Sequence, residues 1–230
     1  MTTIILTTTV TVQNKLWLFQ TDKNERTQLY IKKIKQWLYQ TNFKIVVVEN
    51  TGYTFEELNE EKEKFKDRFE VVSFVESELE SALFLKDNLS KGGSEVFAIE
   101  YAYKNSSLCK YADFIIKVTG RFFIPELENY LNTFDLSFYD VLTQNITDRC
   151  EMVGCHKNHF AKIFSTELID ANGMNNEHVE DIYKFRCSQY KNNIHCPEFY
   201  IEPTQRGGNN QVFYNGAGES KILFYFLLRY

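Results

Sequence analysis

The sequence predicts an α/β fold, one domain with a mostly parallel central sheet flanked by helices. Three observations predict it. Strand and helix patterns alternate through the first half of the chain, which implies right-handed βαβ crossovers. Lys44–Val48 reads KIVVV, a continuous apolar run of the kind seen where a strand is covered on both faces. The 230 residues are 43% hydrophobic and 25% charged, enough for a sizeable core and too apolar for a disordered chain.

The elements follow in order. Ile4–Val12 alternates Thr with apolar residues and reads as the first strand. Glu25–Gln40 reads as an amphipathic helix, with Leu29, Ile31, Ile34, Trp37 and Leu38 as its apolar stripe and Lys32, Lys33 and Lys35 solvated. After KIVVV, residues Glu49 to Gly52 break the second strand. Thr54–Phe65 opens with Thr54 and Glu57 at capping-box spacing and continues with the mixed charges of a surface helix. Phe69–Val75 is the third strand. Lys91-Gly92-Gly93-Ser94 reads as a loop before a helix at Glu95–Tyr103, and Asp113–Lys117 is the next strand. In the second half, Leu136–Ile146 suits a strand pair or a strand and turn. Cys155–Phe164 and Asn175–Tyr190 suit helices. Asn192–Gly218 is rich in Asn and Gly and reads as a long functional loop or lid. Ile222–Leu228 suits a final buried strand or helix. The chain divides into a half at 1–125 and a second at 126–230, without a linker that separates two domains.

Composition bounds the partners. The net charge of −5 argues against a general grip on nucleic acid. No apolar run reaches the roughly 20 residues that span a bilayer. The N-terminal stretch has no Lys or Arg before it, which suits a strand rather than a signal peptide. Five scattered cysteines read as free, mostly buried thiols, and the sequons at Asn88, Asn105 and Asn145 then carry no glycan. A cytoplasmic protein is expected.

Several chemistries lack their motifs. There is no P-loop, no GxGxxG after the first strand, no GxSxG and no HExxH. Open parallel sheets bind ligands outside the carboxyl ends of their strands. That edge holds Thr7–Thr9, Glu49–Gly52 and Thr119–Arg121. The sharpest of these is KVTGR, Lys117–Arg121. Gly120 permits a close turn, and the flanking cations suit a phosphate or diphosphate. Alternation puts Lys117 and Thr119 on one face and Val118 on the other. The plain alternative is a turn at Gly120 with Arg121 paired to a surface acid such as Glu126. Cys155 and His159, at i and i+4 on the expected helix, would share one face. No CxxC accompanies them, so buried thiols are favoured over structural zinc.

The order of these elements, ending in a strand with a polar turn, resembles the GT-A class of nucleotide-sugar glycosyltransferases. It is similar to small enzymes of bacteria and large DNA viruses, which would place it in a host cytoplasm if viral. The resemblance covers residues 1–190 by element order. In most of that class an Asp-x-Asp motif at this strand end holds a divalent metal. Here Thr119-Gly120-Arg121 takes its place. The resemblance therefore implies transfer of a sugar, a hexose or pentose, from a nucleotide sugar, in particular a UDP-sugar, to a glycan or glycoprotein hydroxyl. No cofactor is implied beyond that co-substrate, and metal-independent, inverting chemistry is expected, with Lys117, Arg121 and Arg206 facing the diphosphate. The class also carries an x-Glu-Asp motif under the acceptor, and Val179-Glu180-Asp181 matches it. Asp181 is then the first choice of general base and Glu180 the second. An acidic first helical turn, favoured by the helix dipole, is the plain alternative. Donor contacts fall to Thr8, Thr9, Glu49 and Asn50, with Glu25 and Arg26 nearby and a helix N-cap role as the plain alternative. His195 stands where metal-dependent members place a ligand and, without paired acids, falls to a phosphate contact.

Two other functions compete. A sugar nucleotidyltransferase would use a related sheet, but normally needs a Gly-rich basic loop after the first strand. Thr7–Gln13 contains no glycine. A non-catalytic carbohydrate-binding module would use some of the 20 Phe and 14 Tyr for sugar stacking.

Overall fold

The computed structural model describes residues 1–12, 21–86, 91–144, 151–175, 178–197, 199, 204–205 and 212–213. Seven strands build one sheet: β1 (Thr2–Thr8), β2 (Lys44–Glu49), β3 (Phe69–Ser73), β4 (Phe114–Thr119), β5 (Val141–Gln144), β6 (Met152–His156) and β7 (Asn193–Cys196). Their spatial order is β3-β2-β1-β4-β6-β5-β7. Only β6 runs against its neighbours, β4 and β5; the other pairs are parallel. A separate two-stranded ladder joins β8 (Thr204–Gln205) to β9 (Val212–Phe213). The helices are α1 (Lys23–Gln40), α2 (Asn59–Lys64), α3 (Lys91–Asn105), α4 (Ser107–Lys110), α5 (Leu127–Leu131), α6 (Phe160–Ile163) and α7 (Val179–Ser188). This is the α/β architecture the sequence predicts, with one antiparallel strand added.

The two-sided core explains the continuous apolar strands. Ile45 and Val47 join Ile4, Leu6, Ile116 and Val118 under α1 and α5, where Tyr30, Ile34, Trp37 and Leu127 pack. Val46 and Val48 join Ile5, Ile115 and Val153 on the opposite face, under Val96 and Ile99 of α3 and Val179 and Tyr183 of α7. Each such side chain contributes about 1.5–3 kcal/mol when fully buried, so the sheet centre is a rigid platform for its edge. A one-residue slip of any central strand would exchange these two faces.

Local chemistry moves several boundaries. Asp22 caps α1 by accepting from Glu25 N at 2.8 Å, so the helix starts at Lys23. Its inner stripe is Arg26, Tyr30, Lys33, Ile34, Trp37 and Leu38. Lys33 is thus buried rather than solvated, because it sits at helical spacing from Tyr30 and Trp37. The Thr54–Glu57 capping box does not form: Glu57 instead accepts from the Tyr53 hydroxyl, and a short 3-10 turn at Glu56–Leu58 precedes α2. Lys91–Ser94 is the first turn of α3 rather than a loop. Cys155 lies in β6 and not on a helix, so it shares no helix face with His159. Cys109, Cys155, Cys187 and Cys196 are free and buried. Burial pushes the Cys109, Cys187 and Cys196 thiols to about 12 and raises Cys155 well above its ordinary value, which makes them inert core groups. Arg206, Cys150, Asn88, Asn145 and the Ile222–Leu228 run lie outside the described residues. Among the described residues, no helix is long and apolar enough to cross a membrane.

Candidate functional site

The four parallel strands β3, β2, β1 and β4 end at one edge of the sheet, and their polar residues meet there. Glu49 ends β2 and is fully buried. Its Oε1 accepts from Val10 N at 2.9 Å and Thr51 Oγ1 at 2.5 Å, and its Oε2 accepts from Thr51 N and Tyr53 N, each at 2.8 Å. One carboxyl group therefore ties the loop after β1 to the loop after β2. Thr8 Oγ1 donates to Val48 O at 2.9 Å. Beside it, Thr9 Oγ1 donates to Asn50 Oδ1 at 2.8 Å, and Asn50 Nδ2 donates to Glu76 Oε2 at 2.9 Å. Glu76 Oε1 in turn accepts from Ser94 Oγ in the first turn of α3 at 2.8 Å. A chain of hydrogen bonds thus runs along the edge from β1 to α3. It holds Thr9 and Asn50 in fixed orientations.

The turn after β4 is pressed against β1. Gly120 N donates to Thr7 O at 2.9 Å. A Cβ at Gly120 would stand 2.7 Å from Thr8 Cγ2 and 2.8 Å from Thr7 O. Close approach of two backbones is what glycine supplies here. The turn then presents Arg121. Its Nε is shielded from solvent and has no hydrogen-bond partner among the described residues. Arg26 of α1 lies near by, 3% exposed, donating from Nε to Thr9 O at 2.7 Å and from an Nη to the Tyr30 hydroxyl at 2.8 Å. Burial lowers the Arg26 pKa from its ordinary value, and the neighbouring Arg121 charge lowers it further. The Glu49 carboxylate acts on Arg26 in the opposite sense, so the edge carries two guanidinium groups beside one buried carboxylate.

Lys117 points to the other face of the sheet. It is 1% exposed, and its Nζ lies 2.7 Å from Glu95 Oε1 and 6.0 Å from the centre of the Tyr183 ring. The lysine thus anchors α3 and α7 to β4. On this face the first turn of α7 carries Glu180 and Asp181, both exposed. The far end of α7 lies at the opposite edge of the sheet, where Tyr190 packs on His159 and Asp140 N bonds Asn192 O. The α7 N-terminus is therefore at the same edge as the β4 turn. His195 is placed elsewhere. It lies on the outer strand β7, three strand spacings and about 14 Å from β4. There its Nδ1 is 3.2 Å from Thr143 Oγ1.

The site thus brings together Thr8, Thr9, Glu49, Asn50, Thr119, Gly120 and Arg121, with Lys117 beneath them and Glu180 and Asp181 on the α3–α7 side. Arg26, expected near the donor from its place at the start of α1, reaches the edge from the buried inner stripe of that helix. Glu76 and Ser94 join the edge through contacts remote in sequence, which leave no local pattern. Thr119 and Arg121 do not suit a divalent ion, since the turn offers no paired acids. Among the described residues no group of three His, Cys, Asp or Glu could hold one.

No family model matches the chain, and no curated protein matches it. Among the solved structures similar in chain path are these two. One is a protein of Desulfovibrio desulfuricans G20 assigned as a nucleotide-diphospho-sugar transferase, with 16% identity and a TM-score of 0.46, over 85% of this chain and 79% of the other. The second is residues 1–349 of TarS from S. aureus, with 12% identity and a TM-score of 0.45, over 86% of this chain and 59% of that one. At such identities the likeness is one of chain path.

Proposed function

We propose that this chain is a glycosyltransferase that moves a sugar from a nucleotide-sugar donor, a UDP-sugar, to a glycan hydroxyl, with inversion and without a metal. The observation that carries the reading is the Arg121 guanidinium at the sheet edge, with a shielded Nε that meets no acceptor beside a second buried arginine. A diphosphate supplies the missing acceptors and removes the repulsion between the two cations. The nucleoside lies over Thr9 and Asn50, which the Glu49 and Glu76 hydrogen bonds hold in place. Thr8 and Lys117 act beneath the surface as positioning residues.

In the transfer step Asp181 takes the proton of the acceptor hydroxyl, with Glu180 as its neighbour on the same turn. The acceptor oxygen forms a bond to the anomeric carbon as the bond from that carbon to the diphosphate oxygen breaks. The electron pair leaves on the diphosphate, where Arg121 stabilises the growing charge. The test is calorimetric titration of UDP in excess chelator. Wild type binds, and Arg121→Ala loses about 10- to 100-fold in affinity, the worth of a charge-assisted contact. UDP affinity that is unchanged in the variant, or that requires a divalent ion, would remove Arg121 from the donor site.

A further inference from the structure

Glu151 lies just before β6, beside the end of β4. Its carbonyl accepts from Thr119 N at 2.8 Å, which places it level with the Thr119–Arg121 turn. Alternation along β6 sends Met152 into the core under α1 and sends Val153 and Cys155 into the core under α3 and α7. Glu151 continues the second set and so belongs to the face that holds Lys117 and Asp181. The residue is only 8% exposed, and its Oε2 is shielded from water and meets no hydrogen-bond donor among the described residues. A buried carboxyl oxygen without a donor is costly, and folds keep few of them.

The local cations do not relieve it. The Lys117 ammonium is ion-paired with Glu95. Arg121 borders the same turn and has a shielded Nε without an acceptor, yet the two groups do not pair. An unmet donor and an unmet acceptor therefore flank one short turn on its two sides. A ligand that satisfies both is anionic toward Arg121 and rich in hydrogen-bond donors toward Glu151. A phosphorylated sugar has that pattern.

We infer that Glu151 is the sugar-recognising carboxylate of the donor site, and that it restricts the donor to uncharged sugars with free hydroxyls. The inference rests on the donor-site reading above and adds the sugar class. A carboxylate accepts from two hydroxyls of a sugar ring at once. A uronic acid has a carboxylate in place of the hydroxyl on carbon 6. Where Glu151 accepts from that hydroxyl, the uronate removes one donor and adds a like charge to repel, although its ring hydroxyls remain.

The experiment is calorimetric titration of UDP, UDP-glucose, UDP-galactose and the two corresponding uronates into wild type and Glu151→Gln. Wild type binds at least one neutral sugar nucleotide at least about tenfold more tightly than its uronate. Glu151→Gln narrows that gap to under about threefold and leaves UDP affinity unchanged. Glu151→Asp keeps the charge and so keeps the preference, which serves if the glutamine variant does not fold. Equal wild-type affinity for neutral sugar and uronate, or the same gap in Glu151→Gln, overturns the inference and leaves the donor site standing. Absence of UDP binding to wild type overturns the donor site, and the inference with it.

Discussion

Glu49 and Glu151 are both buried carboxyl groups at the same edge of one sheet, and they differ in what surrounds them. Glu49 accepts four hydrogen bonds, three from backbone N–H groups, and joins the loops after β1 and β2. The Glu151 Oε2, level with the β4 turn, accepts none. The arginines repeat the contrast. Arg26 has donors placed on Thr9 and Tyr30, while the Arg121 Nε has no acceptor. The difference teaches how to separate architecture from ligand contact at a polar edge. A buried polar group whose partners are all present holds the fold together. One whose partners are missing, at a sheet edge that suits a ligand, is a candidate for ligand contact.

That contrast can be broken by substitution. The largest effect is expected at Asp181, outside both groups. Asp181→Asn lowers turnover by about 10²- to 10⁴-fold, the usual reach of a general base, and leaves UDP affinity and melting temperature unchanged. Unchanged turnover would move the base elsewhere. Next is Glu49→Ala, which leaves several backbone donors unmet and costs about 3–5 kcal/mol in denaturant unfolding. If this variant instead keeps its stability and loses UDP binding, Glu49 belongs with the ligand contacts and the contrast fails. Gly120→Ala forces a Cβ against Thr7 O and Thr8 Cγ2, and a loss of about 1–3 kcal/mol is expected from the same unfolding measurement.

The smallest effect concerns an ion pair remote from the site. Hydrogen bonds from Lys157 and then from the chain's amino group hold the Asp113 carboxyl down to about 2. A carboxyl lowered in the folded state stabilises above its unfolded value of about 4, and the contribution disappears as pH falls from there toward 2. The Asp113 side chain is 53% exposed, so screening keeps the contribution small. Asp113→Asn should therefore melt slightly below wild type at pH 7, with the two curves converging by pH 2. A gap that persists at low pH would assign the effect to packing.

Much of the fold is legible along the chain because its signals are local. KIVVV announces a strand covered on both sides, and α1 appears in its helical spacing. The errors also have local causes. The KGGS stretch reads as a loop because glycines oppose helix formation, yet Gly92 and Gly93 are buried in the first turn of α3. Lys33 reads as solvated and Arg26 as a group at the start of α1 near the donor, and packing against the sheet buries both. Thr8, Thr9, Glu49, Asn50 and Arg121 are placed at one sheet edge from their positions at strand ends. Glu151 is not, because nothing near it in sequence marks it; it becomes notable only when β6 runs back beside β4.

The chain's own pattern of apolar and polar residues determined an α/β sheet with a polar edge, since strand and helix periods are written in residues two to four apart. Tertiary structure alone decided which of those polar groups find partners. Hydrogen-bond satisfaction depends on atoms brought together from strands and helices far apart in the chain, and that pairing is what divides Glu49 from Glu151.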